Sequence, residues 1–155
     1  RIMYAIIRVR GLKHVRPEVV HAFKTFQLDR KNHCVLVNVN ASTEGMLHQI
    51  KDMAAFGTLK VETIEKLLQK RGRLPGDKPI TTEFLKTHQI DSIAALAKAL
   101  HDEKTTLKNV GIKPVFRLNS PTKGFGRIGI KQGVGLKGPL GFHENGIDTL
   151  LTKMM

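Results

Sequence analysis

Two stretches of the chain, Gly124-Phe125-Gly126-Arg127-Ile128-Gly129 and Gly133-Val134-Gly135-Leu136-Lys137-Gly138, match G-x-G-x-x-G. That spacing serves dinucleotide binding when a strand precedes the glycines and a helix follows, so that pyrophosphate meets free N–H groups at the helix N-terminus. Here more glycines and Pro139 follow, and no helix has room to begin. The chemistry left is that of a flexible basic arm: glycines let backbone approach a polyanion closely, while Lys123, Arg127, Lys131 and Lys137 meet phosphates. The seven histidines are scattered, His33-Cys34 is the only adjacent pair among the His and Cys residues, and neither HxxxH nor CxxC occurs. No metal site is expected. Cys34 lies in an apolar strand pattern, where burial raises the thiol pKa and makes it a small core residue instead of a nucleophile. The carboxylates stand singly, and Asp102-Glu103 reads as a solvated helix end, so the paired acids of hydrolytic catalysis are missing. The expectation is a non-enzyme with no cofactor and no small-molecule substrate.

The cations are organised differently. Arg8, Arg10, Lys13, His14 and Arg16 follow one another where the first strand ends, Arg30, Lys31 and His33 lead into the second, and Lys70, Arg71, Arg73 and Lys78 follow the third helix. From Lys104 to His143 there is no acidic residue, but there are eight Lys or Arg, Arg117 among them, and eight of the 14 glycines. A single charge run is usually a solvated face; several clusters plus an acid-free arm point to a polyanionic partner. The totals agree: 26 basic against 13 acidic residues give a net charge of +13 and a pI near 10.2. Such excess destabilises a free compact state by self-repulsion. Nucleic acid is the leading partner, with an anionic membrane surface the weaker candidate. No apolar run approaches the roughly 20 residues of a spanning helix, and Arg1 to Arg8 is too short and too quickly charged for a signal peptide. A lone cysteine suits a reducing cytosol. The chain starts with Arg1, so at least an initiator residue is expected upstream. One Tyr, seven Phe and no Trp argue against a base-stacking platform and for recognition of RNA shape and phosphate positions.

The elements that must position these residues read as follows. Ile2 to Val9 is a buried strand. Pro17 opens a helix, with Val19, Phe23 and Phe26 at helical spacing through about Leu28. His33 to Val39 is a second strand. Ser42 or Thr43 caps a second helix with the stripe Met46, Leu47, Ile50, Met53 and Ala54, ended by Gly57. Val61, Ile64, Leu67 and Leu68 mark a third helix, with acids early and Lys70 and Arg71 late, as the helix dipole favours. A short helix follows Thr81 or Thr82, another follows Asp91 or Ser92, and Val115 to Leu118 is a third strand. The expected fold class is α+β: a body over 1–118 with a helical insert at about 58–103, an extended basic Gly-rich arm over 119–143, and a short helix over 144–155.

Ile6-Ile7-Arg8-Val9-Arg10-Gly11, Arg30-Lys31-Asn32-His33-Cys34-Val35 and Ser42-Thr43-Glu44-Gly45-Met46-Leu47 together resemble one family, the archaeal form of large-subunit ribosomal protein thirty, counterpart of eukaryotic large-subunit protein seven. The resemblance continues through Leu67 to Arg73, Lys113 to Leu118, Pro121, Gly124, Leu140-Gly141-Phe142 and Leu151 to Met154, and so spans essentially the whole chain. It implies a βαβαβ core resembling half of a ferredoxin-like fold, with a small antiparallel sheet, inserted helices and a C-terminal extension. It also implies a structural constituent of the large ribosomal subunit, cytoplasmic, that binds large-subunit rRNA near the 5S rRNA and supports its folding among neighbouring ribosomal proteins. Carried over, Arg8, Arg10, Lys13, Arg16, Arg30, Lys31 and His33 would meet rRNA, and Ser42, Gly45 and Met46 would form an RNA-facing helix N-terminus; an ordinary cap and a core methionine are the plainer roles. The long basic N-terminal extension of eukaryotic members is absent, which points to an archaeal source, and His143 stands where an arginine is expected. The rivals from other classes are a nucleotide-using enzyme and an RNA-binding regulator outside the ribosome.

Overall fold

The computed structural model describes residues 2–126, 129–144 and 146–155. β1 (Met3–Arg8), α1 (Pro17–Thr25), β2 (His33–Asn38), α2 (Ala41–Ile50) and β3 (Ala54–Thr58) come first; α3 (Val61–Arg71), α4 (Thr82–Thr87), α5 (Ile93–His101) and α6 (Leu107–Val110) follow. β4 (Val115–Arg117), a 3₁₀ turn (Val134–Leu136), β5 (Gly141–His143) and α7 (Asp148–Met154) complete the chain. The sheet order is β4-β2-β1-β3-β5, antiparallel throughout except for the parallel pair β3–β5. The fold class is the expected α+β.

Alternation along β1 sorts the core into two layers. Met3, Ala5, Ile7 and Val9 face a cluster completed by Ile64, Leu67 and Leu68 of α3, Leu96 and Leu100 of α5 and Leu151 of α7. Ile6 faces the other, with Ala22 and Phe23 of α1 and Leu47 and Ile50 of α2. Each fully buried Leu, Ile or Phe contributes about 1.5–3 kcal/mol by leaving water. α3 has no side-chain cap of its own; Asp148 of α7 instead accepts from the Lys60 backbone N–H at 3.0 Å and from the Thr63 hydroxyl. That bond ties the last helix to the body.

Four expectations change. Among the described residues the sheet has five strands, not three, in part because Ala54–Thr58 is a strand beside β1 instead of the end of α2. Met53 and Ala54 continue the helical stripe in sequence, but α2 stops at Ile50 and a turn reverses the chain, Met53 N–H donating to the Ile50 carbonyl at 2.9 Å. β5 is the second unforeseen strand. Gly57 lets it and the following turn close in, since a Cβ there would stand 3.0 Å from the His143 carbonyl oxygen. Third, α2 is capped by Asn40, not Ser42 or Thr43; its side chain accepts from Thr43 N at 2.8 Å. α1 is also shorter than expected, because Gln27 turns left-handed at φ 60° and Leu28 N–H bonds back to Phe23 O at 2.9 Å. Asn40→Ala should therefore cost about 1 kcal/mol of stability in urea unfolding, whereas Ser42→Ala, on an exposed residue, should stay within about 0.5 kcal/mol.

Candidate nucleic-acid interface

The strand registers bring one set of loops to one end of the sheet. At that end Arg8 lies opposite Ala54, Ile7 opposite Cys34, His33 opposite Arg117, and Ala55 opposite Gly141. β1 and β4 therefore stop where β2, β3 and β5 start. The loop after β1, the turn before β2, the α2–β3 turn and the approach to β5 share this end. They are joined: Val9 and Arg10 N–H groups donate to Met53 O at 3.1 and 3.0 Å, and Asn32 N–H donates to Arg8 O at 2.7 Å. A Cβ on Gly11 would lie 3.1 Å from Lys31 Cε, so the first two basic clusters touch. Arg10, Lys51 and Lys131 line one groove of about 420 Å³, with Asp52 the acid beside them.

Most of the expected cations are available there. Lys13, His14, Arg16, Arg30 and Lys31 are exposed, and Arg10 is half-buried with Nη1 donating to the Asp52 carbonyl at 3.3 Å. Arg8 is the exception, being only 5% exposed. Its guanidinium donates from Nη1 to Leu28 O at 2.9 Å and from Nε to Arg10 O at 3.2 Å and stands 5.3 Å from the Phe23 ring centroid. Burial lowers its pKa, which the charge of Asp29 partly offsets. Arg8 thus shapes the loops that carry its neighbours instead of presenting charge itself. Arg117 is exposed beside Asp77, at 3.5 Å, and that aspartate also accepts from Lys113 Nζ at 2.6 Å. The Lys113 hydrogen bond, then the Arg117 charge, lower the Asp77 pKa.

Other expected contacts lie elsewhere. Ser42 and Gly45 are exposed at the start of α2, which begins at the opposite end of the sheet, and Met46 packs partly into the core. Lys70 is exposed, but Arg71 Nη2 donates to Met155 O at 2.8 Å and Arg73 Nη1 to Gly72 O at 2.9 Å. Lys123, Lys131 and Lys137 are exposed on the arm; Arg127 lies outside the described residues. His143 Nε2 is 2.8 Å from Pro139 O, so its ring serves the arm. Lys51 escaped the sequence reading: on a helix running to Ala54 it would be an ordinary surface lysine, and only the strand after it puts it at the sheet end. A turn between Ile50 and the small residues Ala54-Ala55 was the available signal.

The chemistry of catalysis has no foothold in the residues considered for it. The Cys34 thiol is buried and its pKa pushed up by desolvation. Among the described residues, neither glycine run leads from a strand directly into an α-helix, and no group of His, Cys, Asp and Glu is placed to hold a metal. No helix among them is long and apolar enough to cross a membrane.

Fold and surface together define a class: an α+β protein with a polycationic end to its sheet. A family profile described as "Ribosomal protein L30p/L7e" matches residues 4–53, the segment that runs from β1 to the α2–β3 turn and builds most of that end. Large ribosomal subunit protein uL30 of Methanococcus maripaludis is 40% identical over 152 residues, covering 98% of this chain and 99% of the relative. The uL30 proteins of Nanoarchaeum equitans (40% over 151 residues, 97% of each chain) and Methanosphaera stadtmanae (40% over 154 residues, 99% of this chain and 100% of the relative) match as fully. The chain belongs to the ribosomal protein L30p/L7e family, and its role is that of a structural constituent of the large ribosomal subunit, not an enzyme.

His33 gives this end a pH dependence. Its Nδ1 is buried without a hydrogen-bond partner among the described residues, and desolvation, then the Arg117 charge, lower its pKa below the ordinary 6.5. The folded protein therefore resists a proton that the unfolded chain accepts, so stability falls as pH drops through about 6.5 toward the lower folded value. Urea midpoints at pH 7.5 and 5.5 should differ less in His33→Asn than in the parent chain; equal differences would remove His33 from the account.

Proposed function

We propose that the chain binds large-subunit rRNA through this cationic end, with Arg10, Lys13, His14, Arg16, Arg30, Lys31, Lys51 and Arg117 on phosphates, and so helps to fold and hold the subunit. The observation that carries the reading is the convergence of separate basic clusters from β1, β2, β3 and β4 on one surface whose neighbouring loops hydrogen-bond to one another. Rigid placement of cations matters because phosphate contacts fix register and orientation on RNA. The basic arm, with Lys123, Lys131 and Lys137 and with Arg127 in its sequence, extends the same surface. Neighbouring ribosomal proteins and a position near the 5S rRNA belong to the proposal on the ground of the family resemblance. The domain division into a body over 1–118, an arm over 119–143 and a terminal helix is likewise proposed. The place of action is the ribosome in the cytoplasm.

Neutralising six to ten phosphates makes affinity for an rRNA fragment fall roughly a thousandfold or more between 50 and 200 mM salt. Arg30→Ala should reduce the slope of log K against log salt by about 1, as removal of one phosphate contact requires. Arg8→Ala should leave that slope unchanged but lower stability by about 1–3 kcal/mol, the cost of orphaning the buried carbonyl it serves. A salt-independent affinity, or an Arg30→Ala slope equal to the parent's, would contradict the assignment.

A further inference from the structure

The sheet also carries an aromatic cluster at its β3–β5 edge. Phe56 and Phe142 are direct cross-strand neighbours, with ring centroids 6.0 Å apart. Tyr4, diagonal to Phe56 across β1–β3, stands 6.3 Å from Phe56 and 5.6 Å from Phe142. The three rings grade from buried to open: Phe56 is 8% exposed, Tyr4 half-buried and Phe142 41% exposed. They line a groove of about 390 Å³ beside α2, with Glu44, His48 and Lys51 on its rim. Lys51 and Gly141 also line the groove that holds Arg10 and Lys131. An open ring face therefore runs directly into a cationic groove.

We propose that this edge takes one unstacked base of a single-stranded rRNA segment, the base lying on Phe142 and Tyr4 and its phosphate held by Lys51, Arg10 and Lys131. The inference rests on the rRNA-binding reading above and deepens it. Aromatic faces accept any base, and a neighbouring cationic track holds the backbone; this is how single strands are bound, whereas the bases of a duplex are closed to such a ring. Charge selects the polarity: the Glu44 carboxylate at the aromatic end repels phosphate, and the three cations at the other end, which outnumber the one acid there, Asp52, attract it. A nucleotide satisfies both ends at once. An apolar side chain of a protein neighbour would satisfy only the first.

The chain has one tyrosine and no tryptophan, so its intrinsic emission reports on this site alone. The full chain is titrated with a fluorescein-labelled decacytidine RNA and, separately, with a ten-base-pair RNA duplex, following label anisotropy and tyrosine emission. Single-stranded RNA should quench Tyr4 and duplex should not. Phe142→Leu should weaken decacytidine binding on the order of tenfold, as loss of one stacked base does, and leave duplex affinity within about twofold. Phe142→Tyr keeps the ring and should bind as the parent does; equal losses in both variants would trace the effect to strand β5 and overturn the proposal. If both RNAs bind but Phe142→Leu alters neither and Tyr4 emission is unmoved, the stacking site is refuted while the phosphate-binding surface stands. If neither RNA binds at low salt, the rRNA-binding reading itself fails.

Discussion

β1 is hydrogen-bonded along both edges, to β2 from Met3↔Asn38 to Ile7↔Cys34 and to β3 from Tyr4↔Thr58 to Arg8↔Ala54, antiparallel each time. A central strand with two antiparallel partners forces both neighbours to begin where it ends. The loops that follow β1 and precede β2 and β3 are thereby gathered at one end, whatever their length. β4 and β5 add to the outer edges in registers that bring Arg117 and Gly141 to the same end. Because side chains alternate along β1, a slip of one residue would also turn Ile7 and Arg8 to the wrong layers, so the two hydrophobic clusters hold the register.

Gathering cations has an electrostatic cost. Two like charges about 4 Å apart in water repel by about 1 kcal/mol, and screening at physiological salt reaches only about 8 Å. The fold meets that cost by internal use of some of the cations. Arg8 is consumed by Leu28 O, Arg10 O and the Phe23 ring, Arg71 by the C-terminal helix, and Lys113 by Asp77. On the proposed reading a phosphate backbone neutralises the exposed Lys13, Arg16, Arg30 and Lys31. On the same reading the repulsion carried by the free chain is relieved on assembly, with no moving part required.

Local features were legible in the sequence, and features made by long-range pairing were not. β1, β2, α3 and α5 each carry their own period, and the caps Thr81 and Ser92 were among the residues expected for those helices. The basic clusters are consecutive in the chain, so their charge was visible before their place was. β3 was missed because Ala54-Ala55-Phe56-Gly57-Thr58 has Thr58 as its one β-branched residue and extends the stripe of α2; the small Gly57 suits it because β5 and the turn after it pack against it. β5 is three residues in a glycine-rich stretch, and parallel pairing to β3 leaves no local trace. The scarcity of aromatics argued against a stacking surface, yet Tyr4, Phe56 and Phe142 come from three strands distant in sequence and meet on one face. Arg8 illustrates the converse: its charge was legible, and its enclosure depended on α1 and Leu28.

The most direct measurement is a lysine acetylation footprint of this protein in intact large subunits against the free chain, read peptide by peptide. Lys13, Lys31, Lys51 and Lys131 should be protected in the subunit, while Lys24 and Lys66, exposed on helices α1 and α3, should be modified at least severalfold faster than those four. Equal modification of the four sheet-end lysines in the free chain and in the subunit would contradict the account.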